Sequence, residues 1–315
     1  MSASNVIRRF LTIFTLGTAL LSQIANAAGP SVDTKYGTVE LEQTPQRVIT
    51  LYEGALDAAV AVGVEPLGAV VTRGGQGVAP YIQDSVPDIN IVGTSRETNL
   101  EAVIALQPDL ILAAPTLNQE QYQLLSSVAP TIVPDIERYQ SDSWKNESLV
   151  YARAMDKQAE MNRVLGDIAQ ETAALKKRLA QVQSDTGNKA VLMRWMPQGA
   201  MLMAPGIFAS TLLESAGFEL EDSGLIKPGR PHSSPLSQEK LNVIDQDWLF
   251  MATLNDDGQK AMDAAKTSPA FSRLEVVKQE RAFPVDGTLW TSASGPLAAR
   301  EVLRQLDTLV QGQAE

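Results

Sequence analysis

Few side chains in this 315-residue chain can do chemistry, and the types that are missing narrow the field first. There is no Cys and one His, His232. Disulfides, thiolate-bound zinc, iron–sulfur clusters, thiol catalysis and a lipid-modified N-terminal Cys are thereby excluded, as is any site that needs two imidazoles. His232 stands in Pro231-His232-Ser233-Ser234, where it could act as general base for a serine, but no further motif orients it. The nucleophile elbow, the P-loop, the zincin helix and the dinucleotide fingerprint are all absent, and the Gly-rich run Arg73–Gly77 does not open a helix. Met193, Met196, Met201 and Met203 fit two neighbouring strands of a core better than a thioether metal site. No resident metal or cofactor is expected.

What remains is a group of arginines and aromatics at the ends of expected strands: Arg73, Arg96, Arg194 with Trp195, Arg230 before a Pro/Ser loop, and Trp290. Ligands of open parallel sheets sit beyond the carboxyl ends of the strands. A guanidinium there binds an anion through planar, often bidentate hydrogen bonds, and an aromatic supplies an apolar wall. Acids outnumber bases 37 to 26, a formal charge of −11 that disfavours a nucleic-acid partner. Against that acidic total, a few arginines in one cleft would focus attraction for an anion.

The elements that must position these residues follow from hydrophobic periodicity. Short apolar runs at 47–51, 67–71, 89–92, 110–113 and 131–133 alternate with helical patterns at 54–62, 100–106 and 120–128. That alternation implies a parallel sheet covered on both faces. Strand signals then stop. Apolar residues at helical spacing predict a long helix from about Lys157 to Gln183, ended by Gly187 and about 40 Å long. Strands return at 190–193, 200–203, 248–253 and 282–285, with helices at 207–216, 238–244 and 296–310. The expected fold is α/β: two Rossmann-like lobes with parallel-rich sheets, 28–156 and 187–315, joined by one long helix within 157–186. The ligand cleft would lie between the lobes.

An internal echo relates the lobes. Asn99-Leu100-Glu101 leading to Asp109-Leu110-Ile111-Leu112 matches Ser237-Gln238-Glu239 leading to Asp247-Trp248-Leu249-Phe250, with the same interval between the two acids. Each copy reads as a polar cap, a short helix, a turn and a buried strand. At the N-terminus, Arg8-Arg9, the apolar run Phe10–Leu21 and Ala25-Asn26-Ala27 have the layout of a secretory signal peptide over 1–27. Its removal would take two arginines and no acid, moving the charge from −11 to −13. With no Cys to lipidate, a free periplasmic protein is expected, and a monomer.

Thr44–Val48, Val92–Glu101, Leu106–Ile111, Ser143–Glu147, Arg194–Gly199, Ser237–Leu241 and Trp290 with Gly295–Ala299 together resemble the periplasmic ferric-siderophore-binding proteins of ABC importers, over roughly 38–310. The resemblance implies two α/β lobes on a rigid helical backbone, no catalysis, and iron held by its chelator rather than by the protein. It implies ligand contacts from Arg96, Arg194 and Trp290, and more weakly from Arg73, Tyr52, Trp195 and Arg230. It also implies that Glu101 and Glu239 dock onto the dimeric ABC permease of the inner membrane. Relatives often carry an Arg in the loop after the Pro-Asp strand, whereas Ala114–Asn118 has no charge, which favours a hydroxamate or mixed hydroxamate/carboxylate chelate. A cobalamin- or haem-binding protein of the same fold is the alternative. An exported serine hydrolase using His232 is the alternative of a different class.

Overall fold

The computed structural model describes residues 29–312, so the expected signal peptide falls outside the described residues. The N-terminal half begins with a hairpin of β1 (Ser31–Thr34) and β2 (Gly37–Glu40). It continues through β3 (Val48–Thr50), α1 (Glu53–Ala61), β4 (Gly68–Val71), α2 (Pro80–Gln83), β5 (Asn90–Thr94) and α3 (Leu100–Ala105). β6 (Leu110–Leu112), α4 (Gln119–Ser126), β7 (Thr131–Ile132) and α5 (Ser143–Ala154) complete it. Its five-stranded sheet is parallel, in the order β5-β4-β3-β6-β7. The strands are apolar on both faces because both are covered: Ile49 and Ile111 enter one core, Val48, Leu110 and Leu112 the other.

The long helix, α6 (Gln158–Thr186), runs for 29 residues. Its buried stripe changes owner along its length. Met161 packs in the core of the first half, and Ile168, Leu175 and Leu179 pack in the core of the second. One helix is thus part of both cores, which ties the two halves rigidly.

The second half contains β8 (Lys189–Met196), β9 (Gly199–Leu202), α7 (Phe208–Ser215), β10 (Glu219–Leu220) and β11 (Trp248–Thr253). It ends with α8 (Asp256–Lys266), α9 (Pro269–Ser272), α10 (Glu275–Lys278), β12 (Ala282–Asp286), α11 (Gly287–Thr291) and α12 (Pro296–Gln311). Its sheet has the parallel order β10-β8-β11-β12, with β9 folded back antiparallel on β8. Met193 and Met203 are buried core residues of this β8–β9 region. Residues 238–244, expected as an α-helix, form a 3-10 helix instead.

The sequence echo has a structural counterpart. The Asp109 carboxylate accepts the backbone N–H groups of Gln46 and Arg47, both at 2.8 Å, at the entry to β3. Asp247 accepts the N–H of Lys189 at 2.9 Å, at the entry to β8. In each sheet the acid ahead of one strand pins the start of its parallel neighbour.

The chain's last helix returns to the first half. Asp57, fully buried on α1, accepts the N–H groups of Leu297 and Ala298 at 2.7 and 2.8 Å, and the Tyr81 hydroxyl at 2.9 Å. These are free donors of the first turn of α12, so a carboxylate from one half caps a helix of the other.

Candidate functional site

Between the two sheets lies a cavity of about 510 Å³, well within the range of small-molecule sites. Its walls are the segments that leave the carboxyl ends of the strands. Tyr52 and Glu53 follow β3, Arg73 follows β4, Ala114–Thr116 follow β6, and Arg138 and Tyr139 follow β7. The other side is supplied by Arg194 on β8, by Arg230 and His232, and by 290–294 at the end of α11 and just beyond it. The backbones of Tyr139 and Gly206 meet so closely across the cavity edge that no side chain fits at 206.

Arg194 is the deepest cation. Alternation along β8 turns Val191, Met193 and Trp195 into one core and Arg194 to the opposite face, towards the cavity. The residue is 7% exposed, and its guanidinium donates to Thr291 Oγ1 and to the Thr291 carbonyl at 2.9 and 2.8 Å. Among the described residues it forms no ion pair. Burial lowers its pKa to about 10, and the nearby charge of Arg73 adds to the lowering. Arg73, Arg138 and Arg230 are exposed at the same cavity. Four guanidinium groups therefore converge on one space.

Two acids also face it. Glu53 Oε1 accepts the backbone N–H of Arg73 at 3.2 Å. Glu147, on α5, is buried and its Oε2 has no hydrogen-bond partner. The apolar wall is Trp144, packed edge-on against Phe208 with ring centroids 5.6 Å apart.

Of the residues expected at the site, the cavity is lined by Tyr52, Arg73, Arg194, Arg230 and Trp290. Trp290 is only its floor: the indole is fully buried, stacks on Phe250 at 5.2 Å and donates its Nε1–H to Gln305 Oε1 at 2.8 Å. Trp195 does not reach the cavity, because strand alternation sends it to the other side of the sheet, against Phe271. Arg96 is exposed on the turn after β5 and lies outside the lining, although its neighbour Ser95 is part of it. Glu101 is exposed in the first turn of α3, and Glu239 belongs to the 3-10 helix at 238–244.

Arg138, Tyr139, Trp144 and Glu147 also line the cavity and are not among the residues expected from sequence. Arg138 also follows a strand, but six residues beyond its end, and a short-range search for strand-end arginines passes over it. His232 lines the cavity with Nδ1 paired to the Ser233 carbonyl at 2.8 Å, while Ser233 Oγ donates to the Ser234 carbonyl. Ser233 is thus not presented to the imidazole as a nucleophile. No group of three or more His, Asp or Glu among the described residues is placed to hold a metal ion.

Comparison with known proteins places these features. Residues 48–287 match the periplasmic binding protein family. The probable siderophore-binding lipoprotein YfiY of Bacillus subtilis is 27% identical over 297 residues, covering 91% of this chain and 89% of its own. The achromobactin-binding periplasmic protein of Dickeya dadantii is also 27% identical, covering 82% and 84%. Among solved structures, Staphylococcus aureus SirA complexed with staphyloferrin B superposes with a TM-score of 0.78 at 26% identity, covering 89% of this chain and 98% of its own.

Proposed function

The chain belongs to the periplasmic binding protein family, and from that premise we propose that it captures an anionic ferric chelate and delivers it to an ABC permease. The observation that carries this reading is Arg194. A buried cation without a carboxylate partner is costly to hold, and it becomes favourable when a ligand brings the missing charge. Arg73, Arg138 and Arg230 extend that positive field to the cavity mouth.

The chelate class follows from the same count. The loop Ala114–Asn118 carries no charge, and on that ground alone a hydroxamate or mixed hydroxamate/carboxylate chelate is favoured. Arg138, entering from the segment after β7, restores the missing cation from another direction. Four guanidinium groups suit a chelate rich in carboxylate oxygens better than a neutral hydroxamate. The names of the relatives, which mention siderophores, achromobactin and staphyloferrin B, support a ferric chelate over cobalamin or haem. The iron would arrive with its coordination filled by the chelator, so the arginines address the chelate's outer oxygens.

Delivery calls for a docking surface, and we assign Glu101 and Glu239 to it. They occupy matching positions of the two echoed units, whose shared role in pinning neighbouring strands makes them structural repeats.

The test is a titration of intrinsic Trp fluorescence, with Trp144 as the reporter at the cavity wall. Ferric citrate, a ferric hydroxamate, a ferric catecholate, haem and cobalamin would be compared. Saturable quenching strongest with the carboxylate chelate is expected. A silent response to every ferric chelate, or a response confined to haem or cobalamin, would overturn the assignment.

A further inference from the structure

Glu147 is out of place in a cavity built for an anion. It sits among four arginines yet does not neutralise the deepest of them. Its carboxylate is buried under the cavity wall, with Oε2 open to no partner among the described residues. Left ionised, it would repel the ligand that the arginines attract. Left protonated, the carboxyl gains a hydrogen-bond donor beside the cavity that Glu147 lines.

We propose that Glu147 is a proton-carrying specificity residue: it holds a proton when a polyanionic ferric chelate is bound, donates it in a hydrogen bond to a ligand oxygen, and weakens binding when it ionises. The proposal rests on the anionic-chelate reading above. The surroundings of the carboxyl fit it. Tyr52, at the N-terminus of α1, and Tyr151, one turn further along α5, are its polar neighbours. Arg138 is the cation acting on it, while Arg73, Arg194, Arg230, His232 and Glu53 face the same cavity. β1 and α6, also packed on α5, bring the apolar Val32, Met161 and Leu165. Asp57 of α1 is engaged with the N-terminus of α12. Burial raises the Glu147 pKa to about 7, opposed by the Tyr52 hydroxyl and the Arg138 charge. A bound polyanion pushes the same proton equilibrium further towards the neutral acid, so chelate binding and proton uptake are linked.

The probe is ferric citrate, titrated by Trp fluorescence into wild type and Glu147→Gln at pH 6, 7 and 8.5. Changes in the probe's own protonation are common to both proteins and cancel in the ratio of their Kd values. That ratio should be near one at pH 6 and show the wild type at least about fivefold weaker at pH 8.5. A ratio independent of pH overturns the proposal and leaves the anionic-chelate reading standing. Absence of binding by both proteins at every pH overturns that reading, and the proposal with it. Should Glu147→Gln fail to fold, Tyr52→Phe replaces it. Loss of the Tyr52 hydroxyl, which favours the ionised acid, should move the pH at which affinity falls to a higher value, and an unmoved midpoint overturns the proposal.

Discussion

At the residue scale, Arg194, proposed to bind the chelate, is held in place at the expense of stability. Its guanidinium is charged in the folded and the unfolded chain at neutral pH, but in the fold it is buried beside Arg73. The lowering of its pKa from 12.5 to about 10 means that the charged form is disfavoured by folding at every pH below about 10, on the order of 3 kcal/mol. The hydrogen bonds to Thr291 return part of that. Arg194→Met keeps the aliphatic stem and removes the charge. It should raise ligand-free stability by ~1–2 kcal/mol in urea denaturation while weakening ferric chelate binding tenfold or more. A variant both less stable and unchanged in affinity would show that Arg194 is structural. The residue scale is also where sequence reading was least complete. A strand-end rule found Arg73 and Arg194, but it could not separate Arg194 from Trp195, since one step along a strand reverses the face. It ranked Arg96 with them, although the turn after β5 leaves Arg96 exposed and outside the cavity lining.

At the element scale, the junction of α1 with α12 carries the contact between the halves. Gly295 precedes α12 with φ +118°, a backbone conformation that side chains rarely adopt. A Cβ there would lie 2.5 Å from Asp57 Oδ1, the atom that caps the helix. Gly295→Ala must therefore strain the backbone and displace the cap together, and a loss of ~2–4 kcal/mol is expected, read as a lower Tm. A melt within a degree of wild type would mean that the cap is dispensable. Asp57 itself has a pKa raised to about 7 by burial, despite its three hydrogen bonds. A carboxyl whose folded pKa lies above its unfolded value of 3.8 binds protons preferentially in the fold. Its contribution to stability therefore declines as pH rises from about 4 to about 7. The helix and its proline were readable from Gly295-Pro296 and the apolar spacing that follows. The partner of its N-terminus was not, because Asp57 lies some 240 residues away in the chain.

At the scale of the whole molecule, two halves share α6 and are joined again by α12, which packs on α6 and α7 as well as on α1 and α2. Such a frame favours recognition by a preformed cleft and by a surface that spans both halves. Glu101 and Glu239, one on each half, are proposed to supply that surface's charge. Glu101→Ala combined with Glu239→Ala should leave the Kd for ferric chelate unchanged and abolish iron uptake in cells dependent on this protein. Uptake at the wild-type rate would remove the docking assignment.

The local order of strands and helices was legible because burial on both sheet faces forces continuous apolar runs, and α6 because its apolar stripe persists from Met161 to Leu179, about five turns. The absence of Cys and of a second His excluded whole classes of chemistry from composition alone. The hairpin β1–β2 and α8 left weaker traces; α8 buries only Gly258, Met262 and Ala265 on an otherwise charged surface. The cavity was decided only by the tertiary structure. Arg138, Trp144 and Glu147 reach it from the segment after β7 and from α5, opposite Arg194 and Arg230 from the second half. Periodicity reports which face of an element is buried. Which side chains of distant elements share one space depends on how the two sheets are set across α6, and that follows from packing between residues far apart in the chain.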